Sequence, residues 1–235
     1  MLKKICLMQK MKMDIFYGIN DYFSIQGIQY FPNNHLTVLN RWGRKVFEKE
    51  PFDVINHHAA QISVSRSIKD PCFDAHVNIL GGLHLLELAV EFNVDKFIFA
   101  STGGAIYGDT NHVPTSEDFS PAPLSAYGTS KLSFEFYLKY YKKVKGLDYT
   151  VLRYSNVYGE RQNPHGEAGV VAIFCEKINQ EAQPIIFGDG EQTRDFLYVK
   201  DMGKCTINKI ENDIIFVTAQ LADTLFLLDG KECIL

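Results

Sequence analysis

Between residues 53 and 200 the chain alternates short apolar runs of β type with longer runs of helical period, which predicts an α/β fold on a mostly parallel sheet. Two further observations agree. Small and polar residues gather directly after each predicted strand, as in HHAAQIS, STGGAIYG and SNVYGERQN. The longest predicted helix also carries its own start and stop signals, Ser125 and Gly146.

The elements follow in order. DVINH (53–57) is a short apolar strand that runs into Ala59 and Ala60. Phe73, Val77, Leu80, Leu83, Leu86 and Val90 recur at helical spacing and predict a helix over 73–92. KFIFAS (96–101) reads as a buried strand. After a loop marked by Pro114, Pro121 and Pro123, the helix of 125–144 leads to the strand YTVLRY (149–154). A helix at 168–181 and a strand PIIF (184–187) complete this stretch. In residues 1–50, HLTVL (35–39) is the clear strand candidate, and Gly18, Gly27 and Gly43 are the only glycines. Beyond Met202 turn punctuation is absent until Asp229-Gly230.

The 235 residues suffice for one sizeable α/β domain or for one domain and part of a second. Hydrophobic residues at 46% and charged residues at 22% are ordinary for a soluble globular chain. A net charge of −4 gives no electrostatic footprint for nucleic acid or an anionic membrane, which points to small-molecule chemistry. The apolar run ICLM near the start is too short for a signal peptide or a membrane span, so a cytoplasmic location is expected. Five cysteines (Cys6, Cys72, Cys175, Cys205, Cys233) are scattered, odd in number and never C-x-x-C; they read as reduced core thiols, with no disulfide framework or metal site.

Ligands of parallel α/β sheets bind outside the carboxyl ends of the strands. YGTSK (127–131) opens a helix at that edge and places Tyr127 and Lys131 one turn apart. With 12 tyrosines in the chain, about one such spacing arises by chance, and Tyr141 with Lys145 is a second copy. The second copy lies further along the same helix, away from the edge and among solvated lysines, which favours Tyr127. A phenol of pKa ~10 must drop roughly three units to act as a base near neutrality, about 4 kcal/mol. One ammonium at ~4 Å supplies on the order of 4 kcal/mol at an effective dielectric of 20, so Lys131 is expected to lower the Tyr127 pKa, helped by a cationic nicotinamide.

These residues resemble the extended short-chain dehydrogenase/reductase family, in particular its NAD-dependent epimerases and dehydratases of the UDP-glucose 4-epimerase type. The resemblance covers about 52–202 and rests on six motifs in family order: FDVINHHAAQ, Asn78-x-x-Gly81, FIFASTGGAIYG, YGTSK, LRYSNVYGERQ with HGEAGVVAIF, and FGDGEQTRDFLYV. It implies a Rossmann-like, doubly wound sheet over 1–165, incomplete at the N-terminus, and a partial substrate-binding domain over 166–235. It implies NAD held by Ala59, Ala60, Gln61, Asn78, Ser101, Tyr127, Lys131 and Tyr154. Thr102, Asn156, Val170 and Arg194 would meet a UDP-hexose, with Asn156 and Arg194 on its diphosphate. Tyr127 would take the proton of the sugar 4-hydroxyl while C4 is oxidised, Lys131 would lower the Tyr127 pKa and hold the nicotinamide ribose, and the 4-keto sugar would be reduced on its other face. The resemblance further implies a homodimer through the helices 73–92 and 125–144.

Three departures bear on function. Many family members have Ser or Thr where Gly103 stands, so Thr102 is the first candidate for the second hydroxyl and Ser101 the next. Gly103-Gly104 also replace the Asp-Glu pair of the similar 4,6-dehydratases, which argues against elimination of water. Residues 1–50 lack the glycine fingerprint of the family, and the C-terminal part is short, so the chain resembles a member with both ends lost or altered. Three readings stand: a nucleotide-sugar 4-epimerase, a remnant that keeps the catalytic motifs without holding NAD, or another nucleotide-sugar dehydratase or reductase of the same family. A parallel strand from residues 1–50 beside HLTVL or DVINH, with a glycine turn facing Tyr127, favours the first.

Overall fold

The computed structural model describes residues 5–8, 52–160, 162–164, 169–203, 226–228 and 231–233. Four strands form one parallel sheet in the order β1 (Ile5–Met8), β2 (Val54–His57), β3 (Lys96–Thr102), β4 (Asp148–Tyr154). That order matches one side of a dinucleotide-binding sheet, in which the first strand lies beside the fourth. The strand β1 corrects the reading of 1–50: ICLM is too short to stand out by composition, yet it pairs in parallel with β2, Ile5 opposite Val54. HLTVL, Gly18 and Gly27 lie outside the described residues.

Between β2 and β3 the chain forms α1 (Val64–Lys69) and then α2, which runs through Pro71–Ala75, a π-helical turn His76–Leu80, and Gly81–Glu91. Asp70 caps α2, its carboxylate accepting from the Phe73 amide at 3.0 Å. A short helix α3 (Gly103–Ile106) follows β3 directly. The helix α4 (Ala126–Lys145) starts at Ser125, whose Oγ accepts from the Gly128 amide at 3.1 Å, and ends at Gly146, left-handed at φ 75°. Then come β5 (Asn156–Tyr158), α5 (Val170–Asn179) and β6 (Phe196–Tyr198), with β5 and β6 forming a small parallel pair. An antiparallel pair, β7 (Phe226–Leu228) and β8 (Lys231–Cys233), lies near the end.

Residues 184–187 form no strand, and Ile185, Ile186 and Phe187 are exposed; four apolar residues satisfied the strand pattern, but none of the described residues pairs with them. The cysteine expectation is corrected as well. Cys72 is exposed near the start of α2, and Cys175 is half-buried, so neither is a core thiol, although both are unbridged.

Strand alternation divides the core into two faces. Ile55, Phe97 and Phe99 face α2 and α4, where they meet Leu85, Leu86, Phe134 and Leu138. Val54, Ile98, Ala100 and Leu152 face the other side, against Leu197 of β6. Each large side chain buried this way contributes about 1.5–3 kcal/mol. Gly82 lets the two helices close on the sheet, since a Cβ there would lie 2.3 Å from the Phe134 ring.

His57 sits inside this apolar face with its ring centroid 5.7 Å from Phe97, 5.9 Å from Phe99 and 6.0 Å from Phe134. Burial, then the Lys131 charge and His58, lower its pKa from 6.5 to about 3. The unfolded chain therefore binds more protons between those two values, and stability rises with pH across that window and is lost as pH falls through it. The slope from this one group reaches about 1.4 kcal/mol per pH unit. Urea titrations from pH 4 to 7 are expected to show it, and His57→Leu is expected to flatten it; an unchanged slope in that variant contradicts the assignment.

Candidate active site

The carboxyl edge of the sheet is built by the segments leaving β2 and β3 and by the first turns of α4. Tyr127 is the second residue of α4. Its amide donates to Ser67 Oγ at 3.1 Å, and Ser67 in turn donates to the Val64 carbonyl at 2.8 Å, so α1 fixes where the helix begins. Gly128 is required by closeness: a Cβ there would lie 2.4 Å from the Ala105 carbonyl oxygen of α3. The glycine in YGTSK thus lets the tyrosine approach the end of β3.

Lys131 is buried one turn on. Its ammonium donates to the Ala100 carbonyl at 2.9 Å, lies 4.7 Å from the Phe99 ring centroid and 5.9 Å from that of Tyr127. Burial lowers its pKa to about 8, while the charges of Asp74 and then Glu135 raise it. Tyr127 moves the opposite way to the sequence expectation. Burial and then Asp74 push its pKa up to about 12, and a hydrogen bond from Thr102 pulls it down without offsetting them. The anticipated depression does not result, because a buried phenolate is poorly solvated and is repelled by the Asp74 carboxylate.

Thr102 and Ser101 are separated by strand alternation. Thr102 ends β3 half-buried and acts to lower the Tyr127 pKa. Ser101 is turned to the helical face, buried, and donates to Glu135 Oε1 at 2.6 Å. Glu135 is in turn held by Arg153, with Nη2 to Oε2 at 2.6 Å and Nε to Oε1 at 3.1 Å, and Arg153 Nη1 donates to the Tyr107 hydroxyl at 2.6 Å and the Glu117 carbonyl at 3.3 Å. Ser101 is therefore occupied by a buried ion pair. This cluster escaped the sequence reading, although an arginine within an apolar strand and a glutamate four residues after Lys131 were its visible signs.

A second network joins the end of β2 to the π-helical turn of α2. Asn78 accepts from the Gln61 amide at 2.9 Å and donates to the Gln61 carbonyl at 2.9 Å and to Asp74 Oδ1 at 3.0 Å. Gln61 Nε2 also donates to Asp74 Oδ1 at 2.9 Å. Asn78 thereby fixes the backbone that follows Ala59 and Ala60. Tyr154 is buried at the end of β4, with its hydroxyl 3.4 Å from His58 Nε2 and the two rings stacked at 5.8 Å.

The remaining candidates lie on the small β5–β6 pair and beyond it. Asn156 is exposed, and its Nδ2 donates to the Asp195 carbonyl at 3.1 Å. Arg194, next to Asp195, is exposed, donates to the Thr193 carbonyl at 2.7 Å and makes no ion pair among the described residues. Val170 opens α5 and is half-buried. Asn156 and Arg194 thus share one edge, but neither bonds to the Tyr127 cluster. The competing pair is structural: the Tyr141 hydroxyl donates to Glu87, pinning α4 to α2, and Lys145 is exposed. Among the described residues no helix is long and apolar enough to cross a membrane, and no group of three His, Cys, Asp or Glu is placed to hold a metal ion.

The family model of the NAD-dependent epimerase/dehydratase family matches residues 34–214. The chain belongs to this family. It is 48% identical over 165 residues to a putative UDP-glucose 4-epimerase of Methanocaldococcus jannaschii, a match that covers 69% of this chain and 54% of that protein. Among solved structures, it is similar to the UDP-glucose 4-epimerase of Thermotoga maritima with UDP-glucose, with TM-score 0.76, 39% identity and coverage of 88% of this chain and 65% of that one. It is also similar to the UDP-glucose 4-epimerase of Thermus thermophilus in complex with NAD, with TM-score 0.69, 42% identity and coverage of 74% and 58%. The chain spans about half the length of the curated relatives it matches. These likenesses establish the Rossmann-type fold of the described sheet and NAD as the cofactor of the family.

Proposed function

We propose that the chain carries the NAD-binding and catalytic part of a nucleotide-sugar 4-epimerase acting on a UDP-hexose, of the UDP-glucose 4-epimerase type. The observation that carries this reading is Tyr127 one turn from the buried Lys131, whose ammonium lies 5.9 Å from the Tyr127 ring centroid, at the edge where the family would bind its cofactor. Supporting it, β1 supplies the parallel strand beside β2 that a dinucleotide site needs. The residues fit the nicotinamide half of NAD. Ala59 and Ala60 present only methyl groups at the end of β2, Gln61 and Asn78 hold that backbone in place, and Lys131 offers an ammonium for a ribose hydroxyl. Tyr154 would line the same half, whereas the Ser101 hydroxyl is given to Glu135.

When bound, NAD would accept hydride from the sugar C4 and return it. Tyr127 would take the proton of the 4-hydroxyl and give it back to the 4-keto oxygen, and Thr102 would share that oxygen. With its pKa near 12, Tyr127 rests as the neutral phenol. Its activation requires added positive charge, which an oxidised nicotinamide carries. Asn156, Arg194 and Val170 would receive the nucleotide diphosphate, the arginine by charge-assisted contact. Gly103 and Gly104 place no acid or base where a dehydratase would need one, and a Cβ on Gly103 would lie 3.2 Å from the Arg153 carbonyl oxygen. The boundary between cofactor and substrate parts would fall near residue 165.

The test is incubation of the purified chain and NAD with UDP-glucose, followed by proton NMR of the anomeric region. Appearance of UDP-galactose at the equilibrium ratio is expected; a 4-keto or 6-deoxy product, or none, contradicts the reading.

The exposed Phe136, Tyr137, Tyr140 and Val144 on α4, with Leu80 on α2, would form a homodimer contact between these helices. Light scattering is expected to give twice the 26.7 kDa chain mass. A monomer at micromolar concentration contradicts that interface.

A further inference from the structure

We propose that Asp74 is a positioning residue of this site: a buried carboxylate, anchored by Gln61 and Asn78, that keeps Lys131 in its ammonium form beside Tyr127. Its catalytic consequence rests on the epimerase reading; its electrostatic content does not.

Asp74 lies in the first segment of α2, which packs against α4, and its relative exposure is 0%. A buried carboxylate is costly unless hydrogen bonds and an opposite charge compensate it. Oδ1 has both its bonds, from Gln61 Nε2 at 2.9 Å and Asn78 Nδ2 at 3.0 Å. Oδ2 accepts none and Asp74 is in no ion pair among the described residues, so the hydrogen bonds compensate only half the group. The compensating charge is supplied through space from α4.

The titratable and charged groups on the neighbouring elements identify that charge. From α4 come Tyr127, a neutral phenol, and Lys131, the one buried ammonium among the described residues of that helix; Glu135 stands one turn further on. From β2 come His57 and His58, both kept neutral at pH 7 by burial and by Lys131. On α1, Arg66 and Lys69 are exposed, and Arg66 lies over the Phe73 ring at 4.0 Å. Both Asp74 and Glu135 favour the Lys131 ammonium, Asp74 the more strongly; Glu135 is paired with Arg153 at 2.6 Å, whereas Asp74 has no such partner among the described residues. The same network that shapes the backbone beside Ala59 and Ala60 therefore also sets the charge of the lysine expected to hold the ribose.

Asp74→Asn separates the two roles. The new Oδ1 still accepts from Gln61 and Asn78, and only the charge is lost. Lysine labelled with 13C at Cε reports the Lys131 titration by NMR, assigned by its absence in Lys131→Met. In the unmodified chain the midpoint is expected near 8. In folded Asp74→Asn it is expected to fall by about one unit or more. A midpoint that does not move, or rises, overturns the proposal. If Asp74→Asn does not fold, the unmodified chain with 13Cγ-aspartate decides. The Asp74 resonance is expected to shift through the Lys131 midpoint and to lose that transition in Lys131→Met, while a flat Asp74 resonance overturns the proposal. Neither readout needs NAD or turnover. A chain that shows the shift but does not convert UDP-glucose loses the epimerase reading and keeps this one.

Discussion

Tyr127→Phe is expected to lower the interconversion of UDP-glucose and UDP-galactose by a factor of about 100 to 10,000, the range that a positioned acid–base group contributes. The phenyl ring keeps the packing and removes one oxygen, so the melting temperature and the NAD affinity are expected to hold. The backbone amide of Tyr127 is held by Ser67, independently of the phenol oxygen that the substitution removes. Turnover unchanged in this variant would remove Tyr127 from the mechanism even in an active enzyme. Equal losses of activity, affinity and stability would make it a structural residue.

Arg153→Met is expected to have the largest effect on stability. It leaves the Glu135 carboxylate buried, with Ser101 as its remaining donor, and strips Tyr107 of its partner. Breaking a buried pair from one side costs about 3–5 kcal/mol, which lowers the melting temperature by roughly 10 °C in a chain of this size. The double variant Arg153→Met with Glu135→Leu removes the stranded charge and is expected to recover most of the loss. Thermal melts of both variants check this, and a double variant as unstable as the single one would show that the pair is not the unit that matters.

The fold was legible wherever a pattern repeats locally. The helix of 125–144 announced itself through Ser125 and Gly146, and the structure starts and ends α4 within one residue of those limits. The strands at 96–101 and 149–154 each have an apolar centre that the structure buries, and they appear as β3 and β4. What escaped depends on partners distant in sequence. Four residues of β1 become a strand only by pairing with β2, and PIIF has the composition of a strand but pairs with none of the described residues. The π-helical turn at His76–Leu80 leaves the apolar period intact and is invisible to it.

The site divides in the same way. YGTSK marked Tyr127 and Lys131, and the neighbouring hydroxyls narrowed the choice to Thr102 and Ser101. The sequence did not show that Glu135 holds Ser101, nor that Asp74 stands behind Asn78. Both facts are charges in the interior, and a sequence shows charge without showing depth. Depth also reverses the sign of the Tyr127 shift, since the cost of burying the phenolate and the field of the Asp74 carboxylate both raise the pKa.

Whether these residues hold the cofactor they are arranged around is the central claim, and equilibrium binding of NAD to the purified chain tests it most directly. Saturable binding with half-saturation below about 1 mM is expected, a free energy better than about 4 kcal/mol, weakened in Lys131→Met and in Asn78→Ala. No saturable binding at millimolar NAD, or binding that neither substitution weakens, would contradict the account.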